Sequence, residues 1–369
     1  MTQRTALYDW HVAHGARMVD FAGWQMPLHY GSQLAEHVAA RESSGFFDVS
    51  HMRPLDVTGP DARQLLRYAL ANDVIKLDTR EGKALYSTIL QDDGGIIDDL
   101  IVYRRGPNAY RIVLNAAGAE ADTAHFQALV AAQNWQVTLR QRPDLGILAV
   151  QGPQARTLVA KFLDWPDLMD LEPFTALERA DFFVGRTGYT GEDGVEIITL
   201  NQHLPMLVEG LLAAGVQPVG LAARDSLRLE AGLNLYGQDM DRSVSPYASN
   251  LTWTVDLRDA SRDFMGREAL AAERSRGIGS RLLGIALRDG IPRHGYVLEN
   301  DAGAVCGVVT SGIFSPSLQS GIALARVDAA VEPGSVLQLR IRGTLKKALV
   351  VKPPFLRQGT ATFSFPEGY

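Results

Sequence analysis

The chain has 369 residues, of which 46% are hydrophobic and 21% are charged, and its formal net charge is −6. This length favours two or three domains, and the composition is that of a globular protein, neither disordered nor membrane-spanning. The Lys and Arg residues are scattered, whereas a nucleic-acid-binding surface would require a basic cluster. The single cysteine, Cys306, excludes a disulfide framework and a thiolate metal cluster. The N-terminal segment has no apolar signal core and contains Asp9, which predicts a cytoplasmic location.

The N-terminal segment combines short apolar patterns with helix-breaking residues. Residues 3–18 are predicted to form a short helix, and residues 33–41 a second one. Between them, Gly23, Pro27 and Gly31 predict a loop over 18–31. His51 follows, but it has no partner at zinc-ligand spacing and the chain contains no H-E-x-x-H pattern, so we predict no metal there.

Two later segments, residues 57–67 and 150–160, resemble each other. Each has a strand end, a glycine turn and a proline before a helical pattern, which predicts two copies of one β-to-α unit. A hairpin over 84–104, a strand over 109–116 and a helix over 121–132 are predicted between them. Antiparallel strands with a flanking helix favour an α+β layer over a parallel Rossmann sheet.

The hairpin carries two adjacent acids, Asp98 and Asp99, in an otherwise apolar second strand. Because successive side chains of a strand point to opposite faces, the two carboxylates are predicted not to share a site, and one should face inward. An inward carboxylate is costly unless it is paired, so it would be retained for a reason. The alternative is a strand with one exposed face and a partly solvated second acid, and the pattern alone favours it.

Two further stretches carry candidate binding residues. Residues 186–197 are rich in glycine, but acids stand where a bound phosphate would be repelled. Glu196 lies between Val195 and Ile197, so it faces away from them and could point into a cleft, although a lone strand acid is more often solvated. The helix predicted over 220–232 contains Arg224, Arg228 and Glu230, for which the pattern alone favours a surface network.

The chain changes character after a charged helix that ends at Gly277. From residue 280 onward, short β runs alternate with Gly, Pro, Asn or Asp turns, which predicts a small all-β barrel or sandwich. We therefore predict one region over residues 1–277 and a C-terminal β-barrel domain over residues 280–369.

Seven motifs, taken in order from about residue 5 to about residue 355, resemble the aminomethyltransferase family, the T proteins of the glycine cleavage system. They are M-V-D-F-A-G-W-Q-M-P, F-D-V-S-H-M, G-G-I-I-D-D-L-I-V-Y, R-T-G-Y-T-G-E-D-G-V-E, A-R-D-S-L-R-L-E-A-G, L-Y-G-Q-D-M-D and T-S-G-I-F-S-P-S-L. A single motif of this kind would be a moderate signal. Seven in the family's order over nearly the whole chain are very specific.

The resemblance implies a fold and a reaction. The fold would be α+β, a three-domain cloverleaf around a central folate cavity, with two interleaved ferredoxin-like α/β layers before the C-terminal β-barrel. The reaction would release ammonia from an aminomethyl group on the lipoyl arm of a carrier protein and pass its methylene to tetrahydrofolate, giving 5,10-methylenetetrahydrofolate. Tetrahydrofolate would be a co-substrate, no metal would be used, and the carrier protein would bind transiently.

The resemblance also implies roles for single residues. In the D-D-L motif the second acid, Asp99, would be catalytic, Glu196 would anchor the pterin, and Arg224 would be the arginine of the A-R-D motif. The same matching places four more residues at the folate site, namely Tyr86, Met52, Asn115 and Tyr189. Two features depart from the family: Ala222 replaces a usual glycine, and the tail after Pro354 does not match, which puts any folate contact from the C-terminus in doubt.

Other functions remain open at this point. A folate-dependent demethylase of another one-carbon donor would keep the fold, although the fused forms carry an oxidase domain that is missing here. A folate-binding assembly factor for iron–sulfur proteins would be non-enzymatic, but it normally carries a K-G-C-Y-x-G-Q-E motif. The carrier protein would be acidic, so basic residues near the last domain are candidates for its dock, namely Arg288, Arg293, Arg342, Lys346 and Lys347.

Overall fold

The computed structural model describes residues 2–369. Its α-helices are Tyr8–Ala13 (α1), Gln33–Glu42 (α2), Ala62–Ala69 (α3), Ala119–Gln133 (α4), Ala155–Phe162 (α5), Leu204–Ala213 (α6), Leu221–Glu230 (α7) and Arg267–Arg276 (α8). Single 3-10 turns occur at Val74–Leu77, Pro166–Met169, Asn201–His203 and Thr252–Thr254. None of the helices within 2–369 is long and apolar enough to cross a membrane.

The strands of the first part of the chain are Gln3–Arg4 (β1), Arg17–Phe21 (β2), Trp24–His29 (β3), Gly45–Asp48 (β4), Arg53–Thr58 (β5), Ala84–Leu90 (β6), Ile96–Gly106 (β7), Ala109–Leu114 (β8), Thr138–Gln141 (β9), Leu145–Gln151 (β10), Ala176–Arg179 (β11), Phe182–Gly185 (β12), Gly194–Leu200 (β13) and Gln217–Pro218 (β14). Those of the C-terminal part are Ser280–Leu287 (β15), Val297–Glu299 (β16), Val305–Ser315 (β17), Ser320–Asp328 (β18), Val336–Ile341 (β19), Thr344–Val351 (β20), Leu356–Arg357 (β21) and Thr360–Ala361 (β22).

Two sheets lie face to face in the first part of the chain. One has the strand order β6-β7-β8-β5-β9 and the other β11-β12-β13-β10-β4-β14. A shared apolar core joins them, with Tyr103 and Val113 from the first sheet and Ala149 and Ile198 from the second. Helices α3 and α4 cover the outer face of the first sheet, and α5 and α6 cover that of the second. Each sheet therefore has one helix-covered face, and the predicted α+β class is confirmed.

Strands β15 to β20 close into a barrel in the order β15-β18-β17-β16-β19-β20, which confirms the predicted C-terminal barrel. Its interior is filled by alternating apolar residues, and Cys306 is buried among them, as a small hydrophobe would be. The division at residues 277–280 lies between α8 and β15. It stays a prediction, because α7 of the preceding region packs against the barrel through Leu229.

The N-terminal prediction was wrong in two respects. Residues 3–18 contain one short helix, α1, between two strands, and residues 18–31 form the β2–β3 hairpin rather than a loop. Ala22 and Gly23 both have positive φ, which is the backbone conformation of a tight hairpin turn. Pro27 lies beyond the two residues of β3 that pair with β1, so its missing N–H leaves no gap in that ladder.

The predicted surface network on α7 was also wrong. Arg228 is 1% exposed and Glu230 is fully buried. Arg228 donates to Asp239 at 2.8 Å and to the Ser311 hydroxyl of the barrel at 3.0 Å. Glu230 accepts from several groups of α2 and of the barrel, which are Arg41, Ser315 and Ser317. These charges lie at the contact of two structural units, where the sequence pattern of one helix cannot distinguish solvent from a distant partner.

Candidate active site

The β6–β7 hairpin places Asp98 and Asp99 where the edge of the first sheet is irregular. Asp98 pairs with Ile89, but the next pair is Leu90 with Ile96, so Ile97 is an extra residue in β7. Such a bulge increases the local twist and redirects neighbouring side chains. Asp98 is fully buried, and Asp99 is half-buried.

The inference that the two carboxylates cannot share a site was wrong. The side-chain amide of Asn115 donates to Asp98 Oδ1 at 2.8 Å and to Asp99 Oδ1 at 3.0 Å, so one Nδ2 group joins both acids. It also donates to the Asp99 carbonyl oxygen at 3.0 Å. Asn115 can do this because it follows the last residue of β8 and its side chain extends toward the bulged part of β7.

The surroundings of Asp99 suit proton exchange near neutral pH. Burial, and next the negative charge of Asp98, raise the pKa of the Asp99 carboxyl to about 7, although hydrogen bonds from Tyr86 and Asn115 act in the opposite direction. A carboxyl group with such a pKa is present in both protonation states at pH 7. It can therefore accept or donate a proton, which an exposed aspartate cannot do efficiently.

Aromatic rings flank the acids. Tyr86 stacks on Trp253, with 5.5 Å between ring centroids, and Trp253 is 60% exposed. Trp253 borders a cleft of about 460 Å³ that is also lined by Lys76, Arg258 and Arg274. The cleft therefore lies one aromatic layer from Asp99.

Tyr189 adjoins Asp99 and a half-buried arginine, Arg224. Its hydroxyl donates to the backbone carbonyl of Asn234, and Arg224 lies over its ring at 4.7 Å from the centroid. The charges of Asp99 and Arg224 act on the pKa of Tyr189 in opposite directions, although burial is the largest cause of its increase. Arg224 Nη1 is buried and has no hydrogen-bond partner among the described residues. This guanidinium thus keeps a free donor beside Tyr189.

Glu196 lies on the face of β13 that looks toward the other sheet. Its neighbours Val195 and Ile197 are buried in the opposite, helix-covered core, as the alternation predicted. The Thr187 hydroxyl donates to Glu196 Oε2 at 2.5 Å, and Tyr103 in turn hydrogen-bonds Thr187 at 2.7 Å. Burial lowers the pKa of Arg224, and the charge of Glu196 partly opposes this effect, yet the two side chains form no ion pair within residues 2–369. Glu196 is therefore oriented but not neutralised.

Met52 and His51 adjoin this region from the segment after β4. Met52 packs against the apolar core between the two sheets. Burial, and then the charge of Arg224, lower the pKa of His51 to about 4, so its imidazole is neutral at pH 7. Its Nδ1 has no partner within residues 2–369.

The structure thus connects five of the seven predicted site residues through direct contacts or mutual electrostatic effects, namely Tyr86, Asp99, Asn115, Tyr189 and Arg224. Glu196 reaches them through its effect on Arg224, and Met52 adjoins them only through the core between the sheets. Sequence reasoning missed three others, which are His51, Asp122 and Trp253. Each lies in a separate segment; His51 was considered only as a metal ligand, and nothing in the local patterns of Asp122 and Trp253 indicated a site.

The C-terminal tail lies against the barrel. The Tyr369 hydroxyl accepts from the Leu349 N–H at 3.0 Å and donates to the Ala286 carbonyl at 3.2 Å. Phe355, Phe363 and Tyr369 pack on the outside of the barrel. The departure of this tail from the family pattern is therefore accommodated on the barrel wall.

Comparison with known proteins decides the family. Residues 7–259 match the profile described as the GCVT N-terminal domain, and residues 281–356 match the glycine cleavage T-protein C-terminal barrel domain. The chain belongs to this family, the aminomethyltransferases of the glycine cleavage system. The recognition from motifs and the expected transferase class are thereby confirmed.

Individual relatives agree over nearly the full length. The chain is 50% identical to the aminomethyltransferase of Bordetella avium over 97% of this chain and 98% of that protein. It is 49% identical to the aminomethyltransferase of Legionella pneumophila strain Lens, over 97% of this chain and 99% of the other. The crystal structure of the glycine cleavage system aminomethyltransferase T from Bartonella henselae superposes with a TM-score of 0.91 at 36% identity, covering 97% of this chain and 99% of that one.

Proposed function

We propose that this aminomethyltransferase releases ammonia from an aminomethyl group on a lipoyl carrier protein and transfers the methylene to tetrahydrofolate, with Asp99 as the catalytic residue. The observation that carries the proposal is the half-buried Asp99 carboxyl, which shares the Asn115 amide with Asp98 and has a pKa raised to about 7. The family uses tetrahydrofolate and a lipoyl carrier in this reaction, and the proposed chemistry uses no metal ion.

Asp99 would stabilise a developing positive charge and would accept protons. Departure of ammonia from the aminomethyl carbon leaves a cation stabilised by the lipoyl sulfur, and a nearby carboxylate stabilises it further. One tetrahydrofolate nitrogen attacks this carbon and loses a proton, and attack by the second nitrogen then accompanies cleavage of the carbon–sulfur bond, which frees the lipoyl thiol. The same carboxylate can accept the protons that the two nitrogens release. Asn115 would hold Asp99 in position, since its amide contacts both the carboxyl and the carbonyl of that residue.

Glu196 and Arg224 would hold the pterin. A reduced pterin presents a row of N–H donors together with carbonyl and nitrogen acceptors. Glu196 Oε1 receives no hydrogen bond within the described chain, and Arg224 Nη1 has no acceptor there, so both have capacity for a polar ring edge. The chain's own groups thus fit the co-substrate without displacing an existing ion pair.

Four other residues would line the same site. Tyr86 and Tyr189 supply aromatic rings near Asp99, Asn115 supplies a neutral donor, and Met52 supplies a flexible apolar contact. The carrier protein would bind transiently, because its lipoyl arm must enter and leave in every turnover.

Ammonia release from a chemically loaded aminomethyl-lipoyl carrier tests the proposal. We expect release to depend on tetrahydrofolate and to yield one 5,10-methylenetetrahydrofolate for each ammonia. A demethylase of another donor would instead transfer one-carbon units from dimethylglycine or sarcosine. A non-enzymatic assembly factor would bind tetrahydrofolate with no turnover of either donor.

A further inference from the structure

A second buried carboxyl lies behind Asp98, at the start of α4. Asp122 is 1% exposed and Asp98 is 0% exposed. The Oδ2 atoms of both have no conventional donor within residues 2–369. Both atoms crowd one spot beside Gly118, since a β-carbon on that glycine would lie 2.1 Å from Asp98 Oδ2 and 2.9 Å from Asp122 Oδ2. Two buried acids face each other there with nothing between them.

The hydrogen bonds indicate which of the two carries the charge. Asp98 Oδ1 accepts from the Asp99 backbone N–H and from Asn115 Nδ2, both at 2.8 Å, and these donors stabilise an anion. Asp122 has no such donors on its inner oxygen. Two carboxylates this close cannot both be ionised away from water, so one proton must lie between them.

We propose that Asp122 is a positioning residue that keeps its proton at neutral pH, donates it to Asp98 Oδ2 and thereby holds Asp98 as an anion directly behind Asp99. The inference rests on the proposed role of Asp99. Burial and the adjacent Asp98 charge raise the pKa of Asp122 to about 9, in agreement with this arrangement.

Other groups around the pair do not supply a competing donor. Asp99 of β7 and Tyr86 of β6 are neighbours of the acid pair. Tyr236 and Arg242 approach it from the segment that follows α7. Arg242 lowers the pKa of Asp122 by its charge but forms no ion pair with an acid of the described chain. The proton on Asp122 is therefore the donor available to Asp98 Oδ2.

The consequence concerns the protonation of Asp99. Burial, and next the charge of Asp98 while it stays ionised, keep the pKa of Asp99 near neutrality. If Asp98 lost its donor, it would take up a proton itself, and the pKa of Asp99 would fall. Asp122 would thus set the pH range of the reaction without touching either substrate.

Rate–pH profiles of three variants test this role. Asp122→Leu removes the donor and should move the acid limb of kcat/KM to lower pH by roughly one unit or more, the size typical of a lost like charge. Asp122→Asn keeps an N–H donor to Asp98 and should leave the midpoint at its native value. Thr123→Val, in the same turn of α4, removes a buried hydroxyl that donates to the Ala119 carbonyl and should leave the midpoint unchanged. An unmoved midpoint in Asp122→Leu, or an equal displacement in Asp122→Asn, would overturn the proposal.

A second measurement is independent of turnover. At about pH 8, where Asp99 is mostly ionised and Asp122 still holds its proton, the infrared spectrum of the native protein should contain the carbonyl stretch of a buried carboxylic acid, and that of Asp122→Asn should lose it. If the band survives in Asp122→Asn, the proton is not on Asp122. Should Asp99 prove dispensable for catalysis, the proposed function fails but the band and its loss remain, so the two failures are distinguishable.

Discussion

Adjacent acids on one strand have different tasks when their surroundings differ. Asp99→Asn keeps the size of the side chain and removes the charge that faces the developing cation, so we expect folding and tetrahydrofolate binding to persist. Methylene transfer should fall by about 100-fold or more, the usual contribution of a general acid or base. Single-turnover transfer from the loaded carrier measures this.

Asp98→Asn is the matched control. Asp98 is fully buried and contacts Asn115 and Asp122, so its substitution should chiefly change pH dependence and stability. At neutral pH its effect on transfer should be much milder than that of Asp99→Asn. Equal losses in the two variants would contradict the assignment of Asp99.

The raised pKa of Asp99 predicts the pH dependence of the native enzyme. The carboxylate is the active form, so kcat/KM should rise with pH through a midpoint near 7. Protonation of Asp99 also affects the stability of the fold, but this contribution decreases as pH rises, whereas kcat/KM increases. Because the folded protein retains a proton that the unfolded chain releases near pH 4, its contribution to the free energy of unfolding should decrease as pH rises from about 4 to 7. The residual activity of Asp99→Asn should lack this midpoint, and a wild-type profile that is flat between pH 6 and about 8 would exclude Asp99 as the titrating group.

Glu196 is testable by binding alone. Glu196→Ala removes a charged acceptor worth about 1.5 to 3 kcal/mol per hydrogen bond, so tetrahydrofolate affinity should fall by roughly tenfold or more. Calorimetric titration measures the change. Glu178→Ala, an exposed acid on β11 of the same sheet, should leave the affinity unchanged. Equal affinities for Glu196→Ala and the native chain would show that Glu196 is only a partly solvated strand acid.

The sequence predicted the features of the site that depend on neighbouring residues in the chain, and it missed those that depend on a bulge or on a partner from another element. Strand alternation was enough to orient Glu196 away from Val195 and Ile197. It failed for Asp98 and Asp99, because the extra residue in β7 interrupts the alternation on which the argument depends. Asp122 lies in a correctly predicted helix, but its partner is on another element, so its pattern carried no signal.

At the scale of elements, local turn chemistry predicted most boundaries. The hairpin over 84–104 and the helix over 121–132 correspond to β6–β7 and α4, because their turn and periodicity signals are local. The β2–β3 hairpin was missed, since Gly23 and Pro27 were interpreted as breaks. In the structure Gly23 forms the hairpin turn, and Pro27 lies beyond the two residues of β3 that pair with β1.

The junction between β8 and α4 gives a prediction for one glycine. Gly118 has φ of −90°, which any residue can adopt, so its role is to leave room for the acid pair. Gly118→Ala would bring a methyl group against Asp98 Oδ2 and should lower the free energy of unfolding by about 1 to 3 kcal/mol, as overpacking does. Gly279→Ala has open space around its β-carbon and should change stability by no more than about 0.5 kcal/mol. Denaturant unfolding compares the two, and equal stabilities would contradict the crowding.

At the scale of the whole molecule, buried charges on α7 join the two parts of the chain. Arg228 contacts Ser311, and Glu230 contacts Ser315 and Ser317, all more than eighty residues away in sequence. A helical pattern shows that a charge can be exposed, but not that a barrel will cover it. The alternating β runs and turns predicted the barrel, while the buried network that attaches it required the structure.

The basic residues proposed for the carrier dock differ in how freely they present their charge. Lys346 pairs with Asp289, and Arg288 and Lys347 rest against the ring of Tyr369. Arg293 donates to the Gly312 carbonyl, and Arg342 is exposed in a turn without an ion pair among the described residues. Four of the five therefore keep a net positive charge on the barrel surface, which an acidic carrier could meet.

If these residues form the dock, the KM for the loaded carrier should rise steeply with added salt, because exposed charges are screened beyond about 8 to 10 Å. Tetrahydrofolate affinity should barely change, since Glu196 and Arg224 are half-buried and charges partly removed from solvent are screened much less than exposed ones. Replacing Arg288 and Arg342 together with Gln should raise the KM at low salt and weaken its salt dependence. Lys161→Gln, an exposed lysine on α5 far from the barrel in sequence, should do neither. A KM that does not respond to salt would rule out electrostatic docking and leave the exposed indole of Trp253 as a candidate contact for the carrier.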